Sequence, residues 1–210
     1  GFGRSLRCFH KATDRGNGQV DLNIERSKVL GYLEELGRYK VSAEHLDRWA
    51  RRIQALPAGV EPAHLSLSLK GIDVRNLLWN GRGHLIALDP GAMKCATPET
   101  DLVRFLMTVK ILYWGSLSFA YGRRPGAAAE RAFLRGYGPW RGSSRLNTWI
   151  KLKEVLKHWR MAWVAIELKS WPGFVKQIVG RTYVDPFYTE ELEDALQCFN
   201  SLPMGPSTCR

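Results

Sequence analysis

One change of hydrophobic period constrains this chain most. Leu65, Leu67 and Leu69 alternate with Ser66, Ser68 and Lys70, the spacing of a half-buried strand. Two short apolar runs follow, Asn76 to Trp79 and His84 to Leu88, separated by Asn80-Gly81-Arg82-Gly83, a strong hairpin turn signal. Elsewhere the apolar residues repeat at three and four, the period of a helix. The pattern predicts a mainly α chain with one small β hairpin element, an α+β fold.

The helical stretches carry their own start and stop signals. Val29, Leu30, Leu33 and Leu36 predict a helix over 25–36 that ends at Gly37. Leu46, Trp49, Ile53 and Leu56 predict another over 43–56, with Ser42 as its N-cap and Pro57 as its stop. Thr97-Pro98-Glu99 has an N-cap followed by proline at the first helical position, and Leu102, Phe105, Leu106, Val109 and Leu112 continue the period. Further helices are expected over Ala127 to Tyr137, over a long stretch from Trp149 to Ile166, and over 189–199. Trp149, Trp159 and Trp163 lie on one helical stripe and are read as packing residues. The 210 residues are read as a single domain, 1–210, with a loose tail over 203–210.

Composition narrows the partners. The formal charge of +11 favours polyanions such as nucleotides, nucleic acid or acidic membrane surfaces. The basic residues are dispersed, as in Arg48, Arg51 and Arg52, then Lys151, Lys153, Lys157 and Arg160, so specific nucleic-acid binding is not expected. No apolar run is long enough to span a bilayer, and Gly1-Phe2-Gly3-Arg4 has no signal-peptide core. Cys8, Cys95, Cys198 and Cys209 are scattered without metal or redox spacing, and the expectation is idle or buried thiols in a reducing cytoplasm. His10, His45, His84 and His158 have no mutual spacing for a metal.

Chemistry concentrates in Lys70 to Gly91. Asp73, Asn76 and Asp89 stand at the mouths of the expected hairpin. Phosphoryl transfer needs magnesium held by a hard carboxylate and an amide oxygen, and a further carboxylate to orient or deprotonate the acceptor hydroxyl. Asp89 and Asn76 could supply the first pair and Asp73 the third group, because antiparallel strands joined by a turn have adjacent open ends. Structural roles are also open to them. Asp73 could cap a turn, Asn76 could satisfy loop backbone, and Asp89-Pro90-Gly91 is an ordinary turn sequence. Asp101, near a helix start, suits the helix dipole whatever the function.

This window resembles the catalytic segment of the aminoglycoside phosphotransferase and choline kinase group, relatives of protein kinases. Asn76-Leu77-Leu78-Trp79 is similar to the run that follows that group's catalytic loop, and Leu88-Asp89-Pro90-Gly91 to its metal motif. Gly3-Arg-Ser-Leu-Arg-Cys-Phe-His10 resembles the stretch opening the group's helical lobe. Glu99-Thr-Asp101-Leu-Val-Arg-Phe105 resembles the segment after its metal motif, and Phe133-Leu-Arg-Gly-Tyr137 a frequent later run. The likeness extends from residue 3 to about 140. It departs at Gly71, five residues before Asn76, where the group has its catalytic aspartate.

The resemblance implies the C-terminal lobe of a kinase-like fold with the N-terminal, nucleotide-gripping lobe absent from this chain. It implies a cytoplasmic, ATP-dependent kinase acting on a hydroxyl of a small molecule such as an aminoglycoside, a sugar or an amino alcohol. Asp73 would be the catalytic carboxylate, and Asn76 and Asp89 would bind Mg2+ and, through it, ATP. The isolated chain is then expected to be inactive. With Gly71 at the catalytic position, the alternative is a non-catalytic, pseudokinase-like binding module.

Overall fold

The computed structural model describes residues 1–39, 41–69, 72–81, 85–87, 93–114, 127–139 and 144–200. In chain order the elements are α1 (Phe2–Ala12), β1 (Gly16–Asp21), α2 (Leu22–Leu36), α3 (Ala43–Ala55), β2 (Val60–Leu69), β3 (Leu77–Trp79), β4 (Leu85–Ala87), β5 (Met93–Ala96), α4 (Pro98–Trp114), α5 (Ala127–Tyr137), α6 (Ser144–Glu167), α7 (Gly173–Val179) and α8 (Asp185–Asn200). Short 3-10 turns cover Gly37–Tyr39 and Val74–Asn76, and a π turn over Gly180–Val184 joins α7 to α8. The fold is mainly helical with a small antiparallel sheet, the α+β class the periodicity predicts.

The predicted hairpin is present as β3 and β4, paired Leu77↔Ala87, Leu78↔Ile86 and Trp79↔Leu85. Gly81 in its turn has φ +73, a conformation that costs glycine little and other residues much. The strand seen in Leu65 to Leu69 is longer than its alternation indicates. It sits between β1 and β5 in a sheet of order β1-β2-β5, antiparallel to β5 from Ser66↔Ala96 to Leu69↔Met93. β1 reads Gly-Asn-Gly-Gln-Val-Asp and has no apolar alternation to reveal it. α2 starts before the expected residue 25 because Asp21 caps it, accepting a hydrogen bond from the Asn23 amide.

Packing divides the chain into two compact units, Gly1–Val20 with Glu61–Ser143, and Asp21–Val60 with Ser144–Arg210. In the first, Leu6, Ile72, Leu102, Phe105, Val109, Phe133 and Tyr137 form the core. α1 crosses α5 at Gly3, where a Cβ would overlap the Phe133 carbonyl oxygen and stand 2.7 Å from the Tyr137 amide. Gly138 ends α5 at φ +84, its amide donating to the Leu134 carbonyl in a left-handed cap.

The second unit is built on tryptophan. Trp49, Trp149, Trp159 and Trp163 are buried among Leu22, Leu36, Ile53, Leu152 and Leu156, as their helical stripe predicts. A buried indole needs an acceptor for its N–H. Trp49 finds Glu193 at 2.6 Å and Trp149 the Pro57 carbonyl at 3.2 Å, while Trp159 and Trp163 both donate to Asp185 Oδ1 at 2.8 Å. Gly180 leaves room for the Trp163 ring, which a Cβ there would strike. α2 and α6 are also joined by charge, Glu25 accepting from Lys153 and Arg160 meeting Glu35 at 2.8 Å.

Among the described residues no helix is long and apolar enough to cross a membrane. Cys8, Cys95 and Cys198 are not in disulfides, and they are exposed rather than buried. Cys209 and the tail over 203–210 lie outside the described residues.

Candidate functional site

One face of α4 holds Ser68, Leu69, Ile72 and Val74. Asp101, fully buried near the start of the helix, accepts from Ser68 Oγ at 2.5 Å and from the Leu69 amide at 2.9 Å. Two turns further along, Thr108 Oγ1 accepts from the Val74 amide at 3.2 Å and donates to the Phe105 carbonyl. Between them Ile72 enters the core beside Leu102 and Phe105. Residues at i, i+4 and i+7 share one side of a helix, so Asp101, Phe105 and Thr108 bind the chain at successive points.

Asp101 also ties this segment to two distant helices. His10 Nε2 lies 3.1 Å from Asp101 Oδ2, and His10 Nδ1 lies 2.8 Å from the Tyr137 hydroxyl, all buried. A carboxylate only accepts, so Nε2 carries a proton, and in the neutral ring Nδ1 accepts from the phenol. Burial, reinforced by the negative charge of Glu99, pushes the Tyr137 hydroxyl up to about 12, which keeps it a donor at neutral pH. His10, Asp101 and Tyr137 come from the three outlying segments quoted above. Those separate stretches meet in one buried network.

With Ile72 and Val74 turned inward, Asp73 caps the 3-10 turn. Its Oδ1 accepts from the Arg75 amide at 2.8 Å and from Arg75 Nε at 2.9 Å, and its Oδ2 from the other arm of that guanidinium at 2.6 Å. The Asp73 side chain is 16% exposed and that of Arg75 68%. Both carboxylate oxygens are thus engaged locally, the capping role and an ion pair together. Asn76 closes the turn, its amide donating to the Asp73 carbonyl, and leads straight into β3. Asp89, like Gly71, lies outside the described residues. Of the three predicted site residues, Asp73 and Asn76 share one turn, and the described part of β4 ends at Ala87, opposite Leu77.

Sequence reasoning passed over His10, Ser68 and Tyr137. Spacing among the histidines does not reveal His10, whose partners lie 91 and 127 residues away. The available signal was the recurrence of His10, Asp101 and Tyr137 inside the three quoted segments. Comparison with known proteins adds no family: no protein-family model matches the chain, and neither curated proteins nor solved structures give a significant match.

Proposed function

We propose that this chain is the helical lobe of an ATP-dependent phosphotransferase of the kinase-like type, acting on a hydroxyl of a small molecule such as an aminoglycoside, sugar or amino alcohol. The observation that carries the reading is the buried Asp101. It fixes the strand end that leads into the Asp73–Asn76 turn, so that a carboxylate and an amide are presented on a rigid support beside a hairpin. Preorganised polar groups are what a transfer reaction with little covalent chemistry of its own requires.

In this reading Asn76 and Asp89 hold Mg2+, an amide oxygen and a carboxylate being a suitable donor set for a hard cation. Magnesium bound there would neutralise charge on the phosphates. Asp73 orients the acceptor hydroxyl, with Arg75 holding its carboxylate in place. Leu78 and Ile86, paired across the hairpin and both exposed, offer an apolar surface to a nucleobase two residues from Asn76. The test is calorimetry of magnesium and ATP binding to the full-length protein, with Asp89→Ala as the control. Binding that the substitution abolishes supports the site, and turnover that survives Asp89→Asn would sink the mechanism.

A second reading is favoured by the Asp73–Arg75 contact. A carboxylate gripped on both oxygens by a guanidinium is less available to take a proton, and Gly71 stands where the resemblance places the base. The lobe would then bind nucleotide without transferring phosphate. Magnesium-dependent ATP binding with no product across a panel of acceptors separates this reading from the first.

A further inference from the structure

We propose that the stretch from Leu168 to Tyr183, around α7, is a docking surface for anionic phospholipid. The proposal is independent of the phosphotransferase reading. Five of the 13 exposed large apolar side chains among the described residues fall in this one stretch. Leu168 is 81% exposed, Phe174 68% and Ile178 56%, and Trp171 and Tyr183 are exposed with them. Phe174 and Ile178, four apart within α7, share one helical face turned to solvent, and Trp171 stands exposed two residues before the helix begins. Single exposed apolar residues are ordinary, but five within one short stretch of chain mark a contact surface.

Charge and residue type select the occupant. Between Leu168 and Val184 there is no aspartate or glutamate, and the cations are Lys169, Lys176 and Arg181. Lys176 is engaged in fixing the segment, donating to the Glu167 carbonyl at 2.7 Å, whereas Lys169 and Arg181 stand exposed on the same stretch as the apolar residues. Tryptophan, tyrosine and phenylalanine beside lysine and arginine suit the headgroup boundary of a bilayer, where the rings bury and the cations meet lipid phosphate. A second copy of this chain docking face to face would bring like cations together, on a protein already at +11, and is disfavoured by that repulsion. The segment would lie on the membrane, because no described helix is long and apolar enough to cross one.

The test is flotation of the full chain with vesicles of phosphatidylcholine alone and of an equal mixture of phosphatidylcholine and phosphatidylglycerol. Binding to the anionic vesicles is expected. Phe174→Asp or Ile178→Asp should each weaken it roughly tenfold by removing a buried apolar group, and Lys169→Gln or Arg181→Gln about fivefold each. These positions are exposed, so circular dichroism should show the variants folded. Absence of flotation, equal binding to neutral vesicles, or binding unchanged by Phe174→Asp would overturn the proposal. So would a concentration-dependent dimer, seen by sedimentation, that Phe174→Asp dissolves.

Discussion

Asp185 and Asp101 are both carboxylates in apolar surroundings, and they should answer substitution differently. Burial raises Asp185 above the ordinary aspartate range, an effect only partly offset by the two indole N–H groups on its Oδ1 and by Arg181. A carboxyl whose folded value is raised favours the fold while protonated, and that contribution is lost as pH rises through the folded value. At neutral pH the charge is therefore a burden, and the acceptor oxygen is the useful part. Asp185→Asn keeps that oxygen and should leave the melting temperature at pH 7 unchanged or higher. Asp185→Ala should cost about 2 kcal/mol by leaving two buried indoles without an acceptor. Asp101 uses both oxygens, for Ser68, Leu69 and His10. Asp101→Asn keeps one oxygen for Leu69 and His10 but turns its NH2 to the Ser68 hydroxyl, which must reverse its role and can take only one of the two N–H groups in this buried site, so here the asparagine should destabilise too, by about 2 kcal/mol in a denaturant titration.

Helix contacts make their own demands. α1 lies close enough to α5 that Gly3→Ala must push a Cβ into the backbone at Phe133 and Tyr137. A loss of about 1–3 kcal/mol is expected from that overpacking, while the exposed neighbour substituted as Arg4→Ala should stay within about 0.5 kcal/mol. Between α2 and α6 the element-scale term is electrostatic. Burial would raise Glu25, but Lys153, through its charge and a hydrogen bond, and Lys28 outweigh that and hold it below the ordinary glutamate range. A lowered carboxylate contributes stability that is present above its unfolded value and lost as pH falls through the folded one. Thermal unfolding from pH 7 to pH 3 should therefore show a steeper acid-side loss in the wild type than in Glu25→Gln.

At the scale of the molecule, ligand binding is read as stability. If Asn76 and Asp89 hold magnesium and ATP, a free nucleotide concentration of about 100 Kd should stabilise the full-length protein by about 2.7 kcal/mol, and Asp89→Ala should abolish that shift while melting unchanged without ligand. Much of the architecture was legible beforehand. The period-two run around Leu67, the Asn80-Gly81 turn and the three-and-four stripes over α3, α4 and α6 depend on local burial patterns, which any backbone carrying those residues must satisfy. β1 and β5 were not legible, because a short polar strand is held by partners far along the chain rather than by its own alternation. α7 and the π turn were hidden likewise, their outward face being apolar where a soluble helix is ordinarily polar. The candidate site divides along the same line. Sequence by itself determined which residues could do phosphoryl chemistry and the order in which they occur. Tertiary structure decided that His10, Asp101 and Tyr137 close into one buried network that also takes in Ser68, because hydrogen-bond geometry between segments 91 and 127 residues apart exists only once they are folded together.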